Sequence, residues 1–136
     1  MAIAVLTSTR LEVSGTDYSA WCKSVTVTCD AEQLDATDFA SGGWKESLGG
    51  LKGGEVSFEL MDDFADNDVN EDFWGLLGTV VAVKVRASSA SIGAANPEYQ
   101  FSALVTSAVG VDVSVGEIPT QSHTWPISGA VTRAVA

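Results

Sequence analysis

The sequence predicts an all-β protein, and three observations support that prediction. Valine, threonine and serine are frequent, whereas leucine, lysine, glutamine and arginine, which favour helices, are sparse. Runs of alternating apolar and polar residues recur along the chain, with 13 glycines spread among them. This pattern is typical of short strands that each turn one face toward a core and are joined by turns. The 136 residues suffice for one domain, 1–136, and contain no internal repeat.

Five alternating runs are predicted to form strands. Their apolar positions are, in chain order, Val25, Val27, Cys29 and Ala31; Val56, Phe58 and Leu60; Val81, Val83 and Val85; Tyr99, Phe101, Ala103 and Val105; and His123, Trp125 and Ile127. A closing strand is expected near residues 131–135. Side chains of one parity share a face, so these residues are expected to cover one core.

One segment departs from this period of two. Val69, Phe73 and Leu76 recur at helical spacing, and Gly78 can end the helix. Acidic residues suit the positive end of a helix dipole, and four of them crowd the start: Asp66, Asp68, Glu71 and Asp72. We predict a single helix over 69–77 that covers one opening of a β-barrel or sandwich.

Three stretches are predicted to lie outside the strands. Residues 35–54 hold six glycines together with Phe39 and Trp44, which indicates a long loop. It is either a flexible surface loop or one that becomes ordered on contact with another subunit, with the two aromatics as anchors. Residues 1–10 are expected to form an N-terminal arm, and residues 129–136 a C-terminal strand or arm.

The two cysteines, Cys22 and Cys29, are predicted to be reduced thiols. An odd separation places them on opposite faces of one strand, so they cannot pair there, and Cys29 is expected to face the core. Neither a CxxC motif nor a Cys/His cluster is present, which excludes the common zinc patterns.

The charge balance excludes a nucleic-acid-binding protein. Seven Lys and Arg residues stand against 18 Asp and Glu residues, for a net charge of −11. A protein that grips DNA needs a basic surface to neutralise phosphates. A mean hydropathy of +0.18 despite that charge indicates apolar surface in excess, as at subunit interfaces. The sequence shows no membrane span and no secretory signal, so we expect a cytosolic product that does not bind membranes.

No catalytic, metal or cofactor site is predicted. An EF-hand loop aligned on Asp66 would need glycine and glutamate where Glu71 and Leu77 stand, so the acidic run is interpreted as a solvated, helix-capping turn. His123, the only histidine, lacks a G-x-S-x-G nucleophile motif, and the glycines form no phosphate-binding motif. We therefore expect a protein that is not an enzyme.

The ordered set of segments resembles the major tail tube proteins of long-tailed (siphovirus-type) bacteriophages. The segments are LDATDF (34–39), GGWKE (42–46), LGGLK (48–52), EVSFEL (55–60), DDF (62–64), FWGLLG (73–78), VKVR (83–86), NPEYQF (96–101) and WPISGAVTR (125–133). The resemblance covers about Trp21 to Arg133. It implies a tail-tube-type β-barrel or sandwich with one flanking helix, and six subunits in a ring that stacks into a hollow tube.

The resemblance also assigns a role to the loop, and the charge balance suggests a role for the acids. Residues 35–54 would be the stacking loop, with Asp35, Phe39, Trp44, Leu48 and Leu51 against the next ring, and the arms would dock on neighbours too. Acids on the face away from the core would line the bore and repel DNA phosphates, so that double-stranded DNA slides without binding. The candidates are Glu55, Glu59, Asp30 and Glu32, although each could equally serve only to solubilise an outer face.

The same resemblance implies a set of partners. These are further copies of the chain, a tape-measure protein, a tail terminator and baseplate proteins, in a virion tail assembled in the host cytoplasm. Other functions remain open: a head-decoration or head–tail joining protein, a hollow-ring tube protein of a secretion system, a carbohydrate-binding β-sandwich, or an enzyme.

Overall fold

The computed structural model describes residues 5–65 and 68–136. These ranges form seven strands and one α-helix: β1 Arg10–Val13, β2 Thr16–Asp17, β3 Cys22–Asp35, β4 Ser47–Met61, α1 Val69–Leu76, β5 Val80–Arg86, β6 Glu98–Leu104 and β7 Thr120–Ala134. All neighbouring strands are antiparallel, and they form one sheet in the order β2–β1–β5–β6–β7–β4–β3. The predicted all-β class with one short helix is confirmed.

The core lies on one face of this sheet. Every second side chain on β1, β4, β5, β6 and β7 is buried in one shared core, as the two-residue period of the sequence predicts. Trp125 is completely buried, and its ring meets that of Phe58 edge to face at 4.8 Å between centroids. Since the helix has only eight residues, the sheet itself must curve over most of this apolar face.

Strand β7 joins the two halves of the sheet. Its first half pairs with β4, from Thr120 opposite Met61 to Pro126 opposite Glu55. Its second half pairs with β6, from Ile127 opposite Ala103 to Ala134 opposite Glu98. Gly129 has a φ of 92°, and the β6–β7 register shifts between Gln100 and Ser102, so the bend falls where glycine permits it.

Helix α1 packs against the core face of the sheet. Val69 and Phe73 are fully buried, and the Phe73 ring lies 5.0 Å from that of Tyr18. The Tyr18 hydroxyl donates a 2.7 Å hydrogen bond to Asp72 Oδ2, and burial together with this carboxylate raises the pKa of Tyr18. The helix ends at Leu76, one residue before the predicted end, and Asp66 lies outside the described residues. No helix among the described residues is long and apolar enough to cross a membrane.

The predicted loop over 35–54 is wrong in its second half. The chain is already a strand from Ser47, and β3 and β4 remain paired out to Asp35 opposite Ser47. Only residues 36–46 connect them. The glycines misled the prediction because they lie within a strand, where they are unusual unless another backbone approaches closely.

One further prediction needs correction, and one left open is decided in favour of a strand. Cys29 is exposed, because β3 extends past the end of the core at that point, although it keeps the parity of Val25 and Val27. The C-terminal residues form the predicted closing strand and not an arm, because β7 runs without interruption to Ala134 and pairs with β6. At the other end, residues 5–9 precede the first strand, and residues 1–4 of the predicted arm lie outside the described residues.

Candidate assembly surfaces

The part of the β3–β4 hairpin that extends beyond the core is here named the ribbon, residues 30–53. Almost every side chain along it is exposed on both faces. A hairpin of two strands alone is marginally stable in water, so contact with further protein would stabilise the ribbon. The tip is nevertheless well formed, since Asp38 Oδ1 accepts hydrogen bonds from Ala40 N at 3.0 Å and Ser41 Oγ at 3.1 Å. Gly42 and Gly43, at φ 65° and 86°, complete the turn.

All five residues predicted to contact a neighbouring ring lie on the ribbon and are exposed. Phe39 is fully exposed at the tip, and Trp44 is 80% exposed beside it. Leu48 lies opposite Leu34, and Leu51 follows on the same strand. Asp35 has a local role: the side chain and backbone N–H of Thr37 hydrogen-bond to it, which lowers the pKa of its carboxyl.

The predicted bore-lining acids lie on the face of the sheet away from the core. Glu55 and Glu59 have the opposite parity to Val56, Phe58 and Leu60 on β4. On β3, Thr28 lies opposite Glu55 and Asp30 lies opposite Gly53. Asp30 and Glu32 have the same parity as Thr28, so they lie on the same face of the sheet as Glu55. The structure therefore brings the four acids onto one surface that leads into the ribbon.

Between these acids the outer face carries small hydroxyl side chains. Thr26 lies opposite Ser57, and Ser57 Oγ lies 3.0 Å from Thr124 Oγ1 on β7. A shallow groove of about 260 Å³ runs along this surface, and Ser24, Glu59 and Ser122 are among the residues that line it. The surface formed by the outer faces of β3, β4 and the first half of β7 is here named the acidic face.

The outer face of the other half of the sheet has a different character. There Arg10, Lys84 and Arg86 alternate with acids, and Arg86 Nε lies 3.1 Å from Glu98 Oε2 in a buried ion pair. The loop after β5 covers this pair, because the Ala90 carbonyl oxygen accepts a 2.8 Å hydrogen bond from Arg86 Nη1. The basic side chains are thus largely neutralised within the subunit.

Sequence reasoning missed a second apolar surface near the helix. Trp74 and Leu77 at the end of α1 are exposed, and so are Val111, Val113 and Ile118 in the segment that leads to β7. The signal that could have found it is the alternation of valine at positions 109, 111, 113 and 115. Such a run predicts a strand, but residues 106–119 form none in the described chain.

A chain of polar side chains fixes this segment to the core. Ser107 Oγ lies 2.9 Å from His123 Nδ1, and His123 Nε2 lies 2.8 Å from Gln121 Oε1. The Gln121 amide donates in turn to Asp62 Oδ1 at 2.8 Å. Since the Gln121 oxygen can only accept, His123 carries its proton on Nε2 and accepts from Ser107. This arrangement satisfies the buried polar groups and accounts for His123 structurally.

The first residues of the described chain cover a groove at the other end of the core. Leu6 and Thr9 line a cavity of about 530 Å³ together with Val25, Val27 and Tyr99. Cys22 also lies there, and burial raises the pKa of its thiol. The edge of β3 does not reach β1 or β2, and this groove is the resulting gap in the curved sheet.

Comparison with known proteins supports the fold. No protein-family model matches the chain, and no curated protein matches its sequence. Among solved structures, a chain of the virion of a native gene transfer agent particle superposes with a TM-score of 0.65 at 20% identity, covering 85% of this chain and 86% of the other. A chain from the tail of an empty gene transfer agent particle, refined with C6 symmetry, gives a TM-score of 0.64 at 18% identity, covering 94% and 95%. This chain therefore has the fold of gene transfer agent tail and virion chains over nearly its whole length.

Proposed function

We propose that this protein is a structural subunit of a phage-type tail tube. The observation that carries the proposal is the ribbon, which holds Phe39, Trp44, Leu48 and Leu51 away from the core with most of their surface exposed. Exposed apolar side chains of this size mark an interface. The shared fold with a chain of a gene transfer agent tail supports the same role.

In the proposed assembly, subunits form rings that stack into a tube in the virion tail. The C6 symmetry of the similar tail supports six subunits in a ring. The ribbon contacts the next ring, and the acidic face lines the bore. A tape-measure protein, a tail terminator and baseplate proteins are the expected partners of such a tube, and the role requires no catalytic group or cofactor.

The acidic face supports the conduction of double-stranded DNA. Its acids and hydroxyl groups are hydrated and repel phosphates, so a duplex would move along the bore without being held. Lysines and arginines there would bind DNA by releasing counterions and would slow its passage. The outer face of the β1–β5–β6 half alternates basic with acidic residues, so it lacks the surplus negative charge of the acidic face and is less suited to line the bore.

Imaging of the purified protein tests the assembly. Wild-type protein should form rings or tubes with an open bore in negative-stain electron micrographs. The double variant Phe39→Ser/Trp44→Ser should fold normally but form no long tubes, since both side chains are exposed in the subunit. The matched variant Phe39→Leu/Trp44→Phe keeps apolar contact area and should still polymerise. Wild-type protein that remains a small oligomer at high concentration would contradict the proposal and favour a head-decoration role.

Co-sedimentation of short duplex DNA with preformed tubes tests the role of the acidic face. Wild-type tubes should retain no DNA, whereas Glu55→Lys tubes should retain it in a manner that weakens as salt increases. Glu117→Lys, which makes the same charge change in an exposed turn before β7, is the control and should not retain DNA. Equal retention by both variants would show that Glu55 does not face the bore.

A further inference from the structure

Residues 109–115, here named the valine segment, have the sequence of a strand but pair with no strand among the described residues. Valine alternates with Gly110, Asp112 and Ser114. Val109 is partly buried, but Val111 is 72% exposed and Val113 is 55% exposed. Alternating β-branched residues favour pairing in a sheet. The segment is therefore suited to a neighbour that the described part of the subunit does not supply.

The subunit holds the chain at the start of this segment and again four residues after its end, and the middle of the segment is unpaired among the described residues. The Asn70 amide donates to the carbonyl oxygens of Val109 at 3.3 Å and Gly110 at 3.0 Å. At the other end, the Pro119 carbonyl oxygen accepts a 2.8 Å hydrogen bond from Asp62 N. Between these points, no hydrogen bond among the described residues uses the backbone groups at positions 111–113. Those groups are free to pair with another backbone.

A complementary site lies on the ribbon. Strand β7 pairs with β4 only as far as Glu55, so residues 47–53 of β4 have β3 on one side and no strand on the other within the described chain. These residues are here named the open edge, and they number seven, as does the valine segment. Gly49 and Gly53 leave room for close approach of another backbone, and Leu48 and Leu51 are exposed beside them.

We propose that the valine segment of one copy pairs as a strand with the open edge of β4 in a second copy. The inference rests on the proposed self-assembly and names the surface that receives the ribbon. Main-chain hydrogen bonds would hold the two copies together, and Val111 and Val113 would pack near Leu48 and Leu51.

The position of the two surfaces explains why the partner is a second copy. The valine segment is attached beside Asp62, just after β4 ends, whereas the open edge lies at the start of β4. Asp62 lies nine positions after Gly53 along the extended chain, which is roughly 30 Å at about 3.3 Å per residue. The segment of one subunit therefore cannot reach its own open edge. A contact between opposite ends of identical subunits is head-to-tail, and it builds an open stack unless its rotation closes it into a ring.

Proline substitution tests the backbone pairing. Proline removes an N–H donor, and neither Asp112 nor Val113 donates its backbone N–H to another described residue. The N–H groups of adjacent strand residues point to opposite sides, so only one of these two residues can donate to the partner strand. Proline at that residue should raise the protein concentration needed for tube formation about tenfold or more. Proline at the other residue should raise it less. Asp112→Asn and Val113→Thr keep the N–H and should assemble normally. Unchanged assembly of both proline variants, with normal thermal unfolding, would overturn the proposal.

Photo-crosslinking locates the partner without altering the backbone. With Val113 replaced by p-benzoylphenylalanine, irradiated tubes should yield covalent dimers whose crosslinks map by mass spectrometry to residues 47–53 of the second copy. Crosslinks that map instead to the free edge of β3, or an absence of dimers from well-formed tubes, would overturn this inference and leave the proposed function intact. Wild-type protein that forms no tubes would overturn both.

Discussion

At the scale of single residues, the clearest case is a histidine whose role depends on its surroundings. His123 lies among the rings of Phe58, Phe73 and Trp125, and both of its ring nitrogens have polar partners. Burial lowers the pKa of His123 from its ordinary value of 6.5, although the nearby charge of Asp62 opposes this shift. The folded protein therefore holds His123 neutral at a pH where the unfolded chain already binds a proton.

The sign of the resulting pH dependence follows from this difference. The contribution of neutral His123 to the free energy of unfolding is fully present above pH 6.5. It is lost as the pH falls toward the lower pKa that His123 has in the folded protein. We predict that the free energy of unfolding of the wild type falls more between about pH 7.5 and pH 5.5 than that of His123→Gln. Urea unfolding followed by tryptophan fluorescence measures both, and equal decreases in the two proteins would contradict the prediction.

Other residues show how far local sequence determines contacts. The parity of Trp125, Phe58 and Val83 in their strands predicted that they face the core, and all three are buried. The same rule failed for Cys29, because parity predicts a face but not how far along a strand the core extends. Cys29 directly precedes the ribbon and is exposed because the core ends there and no strand or helix of the described chain covers β3 beyond it.

At the scale of elements, the β3–β4 hairpin shows how glycine positions a strand pair. Gly54 lies opposite Cys29, and a Cβ atom there would collide with the carbonyl oxygen of Thr28 and lie 3.2 Å from both Cys29 Sγ and Ile127 Cδ1. At the neighbouring Gly53 the nearest atom would be Asp30 Oδ1 at 3.9 Å. Packing against β3 therefore requires glycine at position 54, whereas a side chain at position 53 would meet no close neighbour.

This difference yields a prediction with an internal control. Gly54→Ala should lower the free energy of unfolding by about 1–3 kcal/mol, the usual cost of overpacking, because the backbone of β3 must shift. Gly53→Ala should change it by less than about 0.5 kcal/mol, as is usual for surface substitutions. Urea unfolding of the three proteins measures the effect, and equal stability of the two variants would show that Gly54 is not restrained by β3.

The same hairpin shows why the element boundaries were harder to predict than the fold class. Glycines and turn residues over 35–54 indicated a loop. Local sequence alone cannot show that the glycines of this segment pair with a neighbouring strand. Pairing with β3 keeps residues 47–54 extended despite their low strand propensity. In contrast, helix α1 was predicted to within one residue because its apolar spacing, acidic start and Gly78 all agree.

At the scale of the whole molecule, the net charge of −11 opposes self-assembly at the same time as the exposed apolar surfaces favour it. Exposed like charges repel over about 30 Å in 0.01 M salt but over only about 3 Å in 1 M salt. Hydrophobic contact is not weakened by this screening. Salt should therefore shift the balance toward the assembled state.

We predict that the protein concentration needed for tube formation falls as the salt concentration rises. Sedimentation of assembled protein across a series of sodium chloride concentrations measures it. Glu55→Gln/Glu59→Gln, which removes two charges from the acidic face, should assemble more readily than the wild type in low salt and about equally in high salt. An assembly that instead weakens with salt would indicate that ion pairs between subunits hold it together.

The sequence by itself determined the all-β class, the single helix, the core-facing parity of the strands and the acidic, apolar-rich character of the chain. Each of these depends on spacing or composition over a few neighbouring residues. Only the tertiary structure showed that the hairpin extends past the core, that β7 joins both halves of the sheet, and that Asp30 and Glu55 share one face. It also showed that the valine segment and the open edge lie at opposite ends of the subunit. These features depend on pairing between residues far apart in the chain, which no local pattern encodes.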